Sequence, residues 1–375
     1  MQRPRIKGVF PPVPLGNGRI RIGADFGIAS EIQDDDQGNV WYLLGLLDGA
    51  HTEVEIAAAM GRRCSGVTPA NVLGMLGTLI DMGFVEDAAT PPPAALSAAE
   101  LNRYRRNLEF FSFFHQPPLA AGDFQLRLRE ASVTVLGLGG LGSWVAMNLA
   151  AIGVGHLVLV DHDRVELMNL NRQVLYTEND IGRSKVEAAA ERLAQVNPHT
   201  RLDVIEAKVD GVAAARACMT GRDLLVCAAD RPRLLIYQWL NEAALAEGVT
   251  WIRGGNDGLT VNLFMHEPYR TACFECLEQD ALAQYPEFAA ARRHMVEVVG
   301  DRTINPCTAP MAGMIGSIAA LEVVRRLTGM AEPVTLGHRL VVDVQRMTTE
   351  LLEGTRLDDC TVCGTGRRAD HVIAG

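Results

Sequence analysis

No stretch of this 375-residue chain approaches the roughly eighteen consecutive apolar residues of a membrane span, although 48% of its residues are hydrophobic. The opening "MQRPRIKGVFPPVPLGNGRI" holds basic residues but no continuous apolar stretch, so it does not read as a secretory leader. Positive charge is in short supply. Lys and Arg number 35 against 45 Asp and Glu, and the net charge of −10 argues against nucleic acid or an anionic membrane as the main partner. Internal repeats are absent, and the only low-complexity tract is a short proline-rich linker. The expectation is a cytoplasmic protein with one large α/β domain and a smaller module.

Cysteine is not scarce: of eight, Cys273, Cys276, Cys360 and Cys363 form two C-x-x-C pairs. In a reducing compartment two such pairs favour a metal over disulfides, and four thiolates make a closed tetrahedral zinc site. The pairs are 83 residues apart, wider than a zinc ribbon, so the metal would tie the C-terminal segment back to the domain. A redox C-x-x-C is the competing reading.

The linker "AATPPPAALS" separates a module over 1–88 from a domain over 98–375, with 89–97 as the connection. Upstream of it, "RIRIGADFGIASEIQ" reads as strand and "NVWYLLGLLDG" as a short buried helix. "HTEVEIAAAMG" opens with a capping box, Thr52 and Glu55. The next helix has Thr68 as N-cap, Pro69 at its first position, and Val72, Met75, Leu76, Leu79 and Ile80 on one face. Strands with three short helices predict a winged-helix-like module. From residue 24 to 87 only Arg62 and Arg63 are basic, against eleven acids, so DNA binding is disfavoured. A clamp that adds an extended peptide to a sheet edge and a structural dimerisation module both remain.

After the linker, "AAELNRYRRNLEFFSFF" predicts one basic, aromatic helix. From residue 131 strands and helices alternate: strands 133–137, 156–161, 202–207 and 223–228, helices 141–152, 184–196 and 231–247. That order predicts an α/β domain with a Rossmann-like open, mainly parallel sheet. Its first turn holds Gly137-x-Gly139-x-x-Gly142, and Asp161 ends the second strand nineteen residues later. Such glycines admit a phosphate close to the backbone at a helix N-terminus, and the acid suits a ribose hydroxyl. Taken alone this suits NAD or FAD as well as ATP.

The segment after Asp161 shifts the balance. Asn169, Arg172, Gln173 and Lys185 crowd the region just beyond it. A nicotinamide slot has no use for so many polar donors, whereas a triphosphate does. Asp230, at the end of "DLLVCAAD", would seat Mg²⁺ beside the crevice.

The motifs "NRYRRN", "GLGGLG", "VDHDRVELMNLNRQVL", "IGRSK", "AADRP", "CFECLE", "TAP" and "CTVCG" resemble the ThiF/MoeB/ubiquitin-activating superfamily of carboxylate-adenylating enzymes. Within it the chain is most similar to the MccB-like peptide nucleotidyltransferases, over nearly its whole length. The resemblance implies ATP, or CTP, held by Gly137, Gly139, Gly142, Asp161 (ribose), Asp163, Asn169, Arg172, Gln173 and Lys185. It implies Mg²⁺ on Asp230 with Asp163 nearby, zinc on the four paired cysteines, and a peptide clamp in the N-terminal module. Arg106 matches an arginine often delivered across a homodimer to the γ-phosphate. Sulfur-transferring members use a cysteine ahead of the helix "PMAGMIGSIAALEVVRRL"; the matching position here is Arg302. Cys307 is out of register and lacks a neighbouring His, so a thioester step is disfavoured.

The implied reaction is adenylation of the C-terminal carboxylate or Asn of a short ribosomal precursor peptide, ending in an N–P linked nucleotide. Activation of a Glu or Asp side chain for cyclodehydration, recruitment without catalysis, and activation of a sulfur-carrier protein are the alternatives.

Overall fold

The computed structural model describes residues 1–23, 29–64, 66–285 and 306–364, together with 287, 289 and 294. The chain divides into two compact units, Met1–Leu126 and Arg127–Gly375.

In the first unit, β1 (Pro4–Ile6) pairs antiparallel with β5 (Val85–Asp87), and β2 (Pro12–Gly16), β3 (Arg19–Ile22) and β4 (Ser30–Gln33) form an antiparallel sheet. Three helices lie between β4 and β5: α1 (Asn39–Leu46), α2 (Glu53–Arg63) and α3 (Pro69–Asp81). Both expected N-caps are made. Thr52 accepts from the Glu55 N–H while Glu55 reaches back, and Thr68 does the same with Asn71. Each reciprocal cap satisfies two amides that the helix cannot, worth about 1 kcal/mol. Val72, Leu76 and Leu79 of α3 are buried, and Met75 and Ile80 half-buried, in a core with Phe10, Ile22, Leu43, Ile56, Met60 and Phe84. The expected strand stretch is interrupted by 24–28, which lie outside the described residues.

The single helix expected over "AAELNRYRRNLEFFSFF" is two, α4 (Ala98–Arg103) and α5 (Arg105–Phe111). The break is at Tyr104, whose backbone (φ −93°, ψ 13°) leaves the α region while its side chain is buried. Burying that large ring sets the bend. α6 (Ala121–Glu130) spans the division between the units.

The second unit is built on an eight-stranded sheet ordered β13-β12-β11-β10-β9-β6-β7-β8. Its strands are β6 (Ser132–Leu136), β7 (His156–Asp161), β8 (Arg201–Glu206), β9 (Leu224–Cys227), β10 (Thr250–Asp257), β11 (Thr260–His266), β12 (His338–Asp343) and β13 (Thr348–Glu353). From β10 to β8 all neighbours are parallel; β10 to β13 is an antiparallel meander that extends the sheet. Among the described residues its helices include α7 (Gly140–Ile152), α8 (Lys185–Val196), α9 (Val212–Ala217), α10 (Leu235–Glu247), α11 (Phe274–Gln284) and α12 (Ala309–Thr328). The central strands read "VTVL", "LVLV" and "LLVC" and are buried throughout, as a sheet covered on both faces requires.

The alternating α/β expectation holds with boundary shifts. β9 ends at Cys227, and the helix expected from 231 begins at Leu235, after Leu234 takes a left-handed φ of 66°. The chain runs β6, β7, β8 in one direction and then returns to lay β9 on the other side of β6. That reversal opens a crevice at the carboxyl ends of β6 and β9, where α/β sheets bind ligands.

Candidate active site: a glycine cradle and a four-cysteine cluster

The glycine turn lies at this reversal. Gly137 has φ 86°, and a Cβ there would stand 2.8 Å from the Ala229 nitrogen, so no side chain fits. A Cβ on Gly142 would sit 1.8 Å from the Gly137 carbonyl oxygen. The missing side chain lets the first turn of α7 close onto the loop, aiming free N–H groups of its first turn into the crevice. At Gly139 the nearest atom to such a Cβ is the Gln173 amide nitrogen at 3.8 Å, so this glycine leaves space rather than a contact.

Asp161 is buried, and both its oxygens serve the loop. Oδ2 accepts from the Leu138 N–H at 2.6 Å and Oδ1 from the Asp163 N–H at 2.9 Å. Tyr176 donates its hydroxyl to the Leu138 carbonyl at 3.0 Å; burial first, then the charges of Asp161 and Asp163, push that phenol far above its usual range. Lys185 is 5% exposed, opens α8, and donates Nζ to Asp163 Oδ2 at 2.8 Å. Arg172 is half-buried, held by the Met168 carbonyl at 3.1 Å and Asn171 at 3.0 Å, with its stem 3.6 Å from the Cβ position of Gly140. Trp144, on α7, donates Nε1 to the Arg172 carbonyl at 3.2 Å and so ties that arginine's segment to the cradle.

Asn169 and Gln173 are both buried on the same loop. Asn169 uses its carbonyl to accept the Glu166 N–H at 3.0 Å. Gln173 Oε1 and Ser184 Oγ are buried with no hydrogen-bond partner among the described residues. Unsatisfied acceptors beside a glycine cradle suit hydroxyl or amine donors such as those of a nucleoside. Asp230 is exposed three residues beyond β9, with Arg231 Nε 4.0 Å away. One open carboxylate near a phosphate cradle fits magnesium, which prefers few protein oxygens plus phosphate oxygens. Asp161, His162 and Asp163 also lie within 4.8 Å of one another, but one Asp163 oxygen is already engaged by Lys185.

Cys307 lies just ahead of α12, half-buried, with its thiol pushed up by burial against the opposing pull of Arg172. That environment protonates the sulfur and weakens it as a nucleophile. Arg302 lies outside the described residues. Arg106 belongs to the first unit, where it is exposed and pairs with Glu109.

Cys273, Cys276, Cys360 and Cys363 are all buried, with Sγ atoms within 4.8 Å of one another. The 273–276, 273–360 and 276–363 separations are 3.8, 3.7 and 3.4 Å. Four thiolates around zinc at about 2.3 Å stand about 3.8 Å apart, so the set fits that ion. The Leu357 N–H points at Cys276 Sγ (3.4 Å) and the Val362 N–H at Cys360 Sγ (3.5 Å), donors that favour thiolates. Leu245, Phe264, Ala272 and Leu357 enclose them.

Most residues singled out in the sequence lie around the glycine turn or in the cysteine cluster, whereas Arg106 lies in the first unit. Sequence reasoning missed Tyr176, Trp144 and Ser184, since a tyrosine or tryptophan amid apolar residues reads as core and a serine before a helix as a cap.

Known proteins bear on this geometry in two ways. The sulfur carrier protein ThiS adenylyltransferase of Escherichia coli is 33% identical over 251 residues, 67% of this chain and 92% of that one. The molybdopterin-synthase adenylyltransferase of Escherichia coli is 29% identical over 278 residues, 72% and 99% of the two chains. Among solved structures, E. coli MccB with ATP superposes with a TM-score of 0.77 at 21% identity, covering 96% of this chain and 99% of that one. PaaA superposes at 0.73 and 23% identity, over 94% and 100%. The ThiF family pattern matches residues 104–362, which takes in the cradle, Asp230 and three of the four clustered cysteines. The chain thus belongs to the ThiF family and is an enzyme of the adenylyltransferase type.

Proposed function

We propose that this protein uses ATP to activate the C-terminal carboxylate of a short ribosomal precursor peptide. The observation that carries the reading is one crevice holding a side-chain-free glycine turn, a buried Lys185 and the orphaned acceptor of Gln173. The carboxylate oxygen attacks the α-phosphorus, the bond to the β-phosphate oxygen breaks, and pyrophosphate leaves. Arg172 and Lys185 stabilise the charge that builds on the departing oxygens. Magnesium on Asp230, when bound, neutralises further phosphate charge. Arg106, supplied across a homodimer, reaches the γ-phosphate, and zinc on the four cysteines anchors the C-terminal segment.

Burial disfavours the Cys307 thiolate, in keeping with a next nucleophile that comes from the substrate. The side-chain amide of a C-terminal Asn closes onto the activated carbonyl, expels AMP and forms a succinimide. Its nitrogen then attacks the α-phosphorus of a second ATP, losing its proton as a second pyrophosphate leaves, and water opens the ring to leave an N–P linked nucleotide. The outer edges of the β2-β3-β4 sheet, unpaired among the described residues, would offer backbone groups to the peptide, in keeping with the acidic charge of the module. CTP in place of ATP fits the same phosphate and ribose contacts.

The sequence relatives favour a second reading, activation of a sulfur-carrier protein. One experiment separates them: the protein with Mg-ATP, peptides ending in Asn or Gly-Gly, pyrophosphate release and product mass. The peptide reading expects a mass gain of one nucleotidyl group on Asn-terminated peptides and at least about a hundredfold loss in Lys185→Met. Loss of water located at an internal Glu or Asp, rather than at a C-terminal succinimide, points to side-chain cyclodehydration, and an enzyme thioester to the sulfur-carrier reading. No pyrophosphate with any carboxylate acceptor sinks the proposal.

A further inference from the structure

Arg253 has no place in the chemistry above, yet it is set up to bind an anion. It ends the part of β10 that pairs with β9; from Gly254 to Asp257 the strand pairs only with β11 and projects past the carboxyl ends of the parallel strands. Its ladder partner is Cys227, the last residue of β9 and the neighbour of the Ala228–Asp230 turn that backs Gly137. Two strand spacings, roughly 10 Å, separate it from the end of β6.

The guanidinium lies in an aromatic corner, its carbon 5.4 Å from the Tyr237 ring and 5.2 Å from the Phe274 ring. Its Nε donates to His266 Nε2 at 3.3 Å. The other His266 nitrogen faces the Ala272 carbonyl at 2.9 Å, an oxygen that can only accept, so Nδ1 carries the proton and Nε2 is a lone pair. A neutral imidazole thus fixes one edge of the fork. The terminal nitrogens of Arg253 have no carboxylate or hydrogen-bond partner among the described residues. Among the described residues there is room beside them: Gly255, on the same face of β10 by strand alternation, would meet none of their atoms within 4 Å of a Cβ. Gly254 faces the other way, toward Leu141 of α7. Charges nearby are mixed, with Arg339 adding positive potential and Glu278 opposing it. A half-buried guanidinium with an unused fork, aromatic walls and adjacent open space calls for a planar anion.

We infer that Arg253 is the docking residue for the carboxylate of the acceptor, gripping it on the α10/α11 face of the crevice while the cradle holds the nucleotide on the α7 face. This rests on the adenylation reading for the chemistry after docking, but not for the binding itself. The phosphates already have Arg172, Lys185 and the α7 N-terminus, on the other side of the β6–β9 reversal. A bidentate Arg leaves the second lone pair of a carboxylate oxygen free, so it can hold the nucleophile without consuming it. Tyr237, which is half-buried, would flank the apolar part of the terminal residue, with the buried Phe274 ring backing the guanidinium.

The test uses the full chain with Mg²⁺ and the non-hydrolysable nucleotide AMPCPP. Binding of N-acetyl-asparagine, and of its C-terminal amide, is followed by saturation-transfer NMR in wild type, Arg253→Gln and Arg253→Lys. The acid should bind and the amide should not. Arg253→Gln should weaken the acid by about tenfold or more, and Arg253→Lys, which keeps charge but loses the fork, by less. AMPCPP affinity should stay within about twofold in both variants, which also certifies their fold. Equal binding of acid and amide overturns the inference, as does wild-type acid affinity in Arg253→Gln. An Arg253→Gln defect confined to pyrophosphate or AMPCPP overturns it too and gives the residue to the nucleotide. Failure of wild type to release pyrophosphate with any acceptor would sink adenylation while leaving this binding result as measured.

Discussion

The glycine turn permits a graded test, because its glycines differ in what a methyl group would meet. In Gly142→Ala the new Cβ starts 1.8 Å from the Gly137 carbonyl oxygen and 2.8 Å from its carbon, both rigid backbone. Relief needs α7 or the loop to move by more than about 1 Å, and overpacking of that kind costs about 1–3 kcal/mol or more. Alanine's helix propensity returns at most about 1 kcal/mol. The net loss should be about 2 kcal/mol, a fall in melting temperature of roughly 4–8 °C for a domain of this size. Gly140→Ala is the control: its Cβ would lie 3.5 Å from Ala312 Cβ, an ordinary contact, so the protein should melt at or slightly above wild type. Gly139→Ala separates fold from function. With nothing closer than 3.8 Å its stability should hold, while a methyl group on the cradle floor should weaken ATP. Thermal unfolding with and without Mg-ATP reads all three. If Gly142→Ala melts within a degree of wild type, or Gly140→Ala is the worse of the two, the steric reasoning is wrong.

Two further expectations concern other parts of the chain. The four-cysteine cluster should hold about one zinc per chain by elemental analysis, and Cys360→Ser or chelation should lower the melting temperature by roughly 5 °C or more; metal-free protein of equal stability would refute the site. Lys7 is fully buried, donates Nζ to the His115 carbonyl at 2.6 Å, and burial lowers its ammonium to about 8, with Glu86 pulling the other way. An unfolded lysine titrates near ~10.4, so between the two values the unfolded chain binds a proton the native chain lacks, and stability should rise with pH across that window. Urea unfolding at pH 7.5, 9 and 10 should show the rise in wild type and not in Lys7→Met; parallel profiles would count against it.

Much of this fold was legible because the signals were local. The capping boxes at Thr52 and Thr68 and the buried runs of β6, β7 and β9 are set by neighbours in sequence, and all were formed. The four paired cysteines were legible for a different reason: C-x-x-C has few uses, so type and spacing suffice. What escaped depends on tertiary packing. The break at Tyr104 comes from burying one ring, which no helical periodicity announces. The antiparallel extension beyond β10 was unread, since strands C-terminal to a Rossmann core carry no mark of which edge they join. Arg253 was invisible for the same reason. Its aromatic walls come from α10 and α11, and its imidazole from β11, thirteen residues away.

Asp161 has a role in the fold that spacing does not announce. Spacing gave this acid to the ribose, yet in the fold it first organises the protein, accepting from the Leu138 and Asp163 N–H groups. Each oxygen keeps a lone pair, so both roles are compatible. Asp161→Asn tells them apart. An asparagine has one carbonyl oxygen, so its NH₂ must confront one of those two N–H donors, leaving a buried donor unsatisfied at about 1–3 kcal/mol. The variant should therefore lose melting temperature without nucleotide, by roughly 2–8 °C, as well as ATP affinity. If the acid also holds the ribose, wild type should prefer ATP over its 2′,3′-dideoxy analogue, and Asp161→Asn should shrink that preference. A variant of unchanged stability with reduced preference would make Asp161 a ligand alone; a destabilised variant with unchanged preference would make it a purely structural brace of the glycine loop.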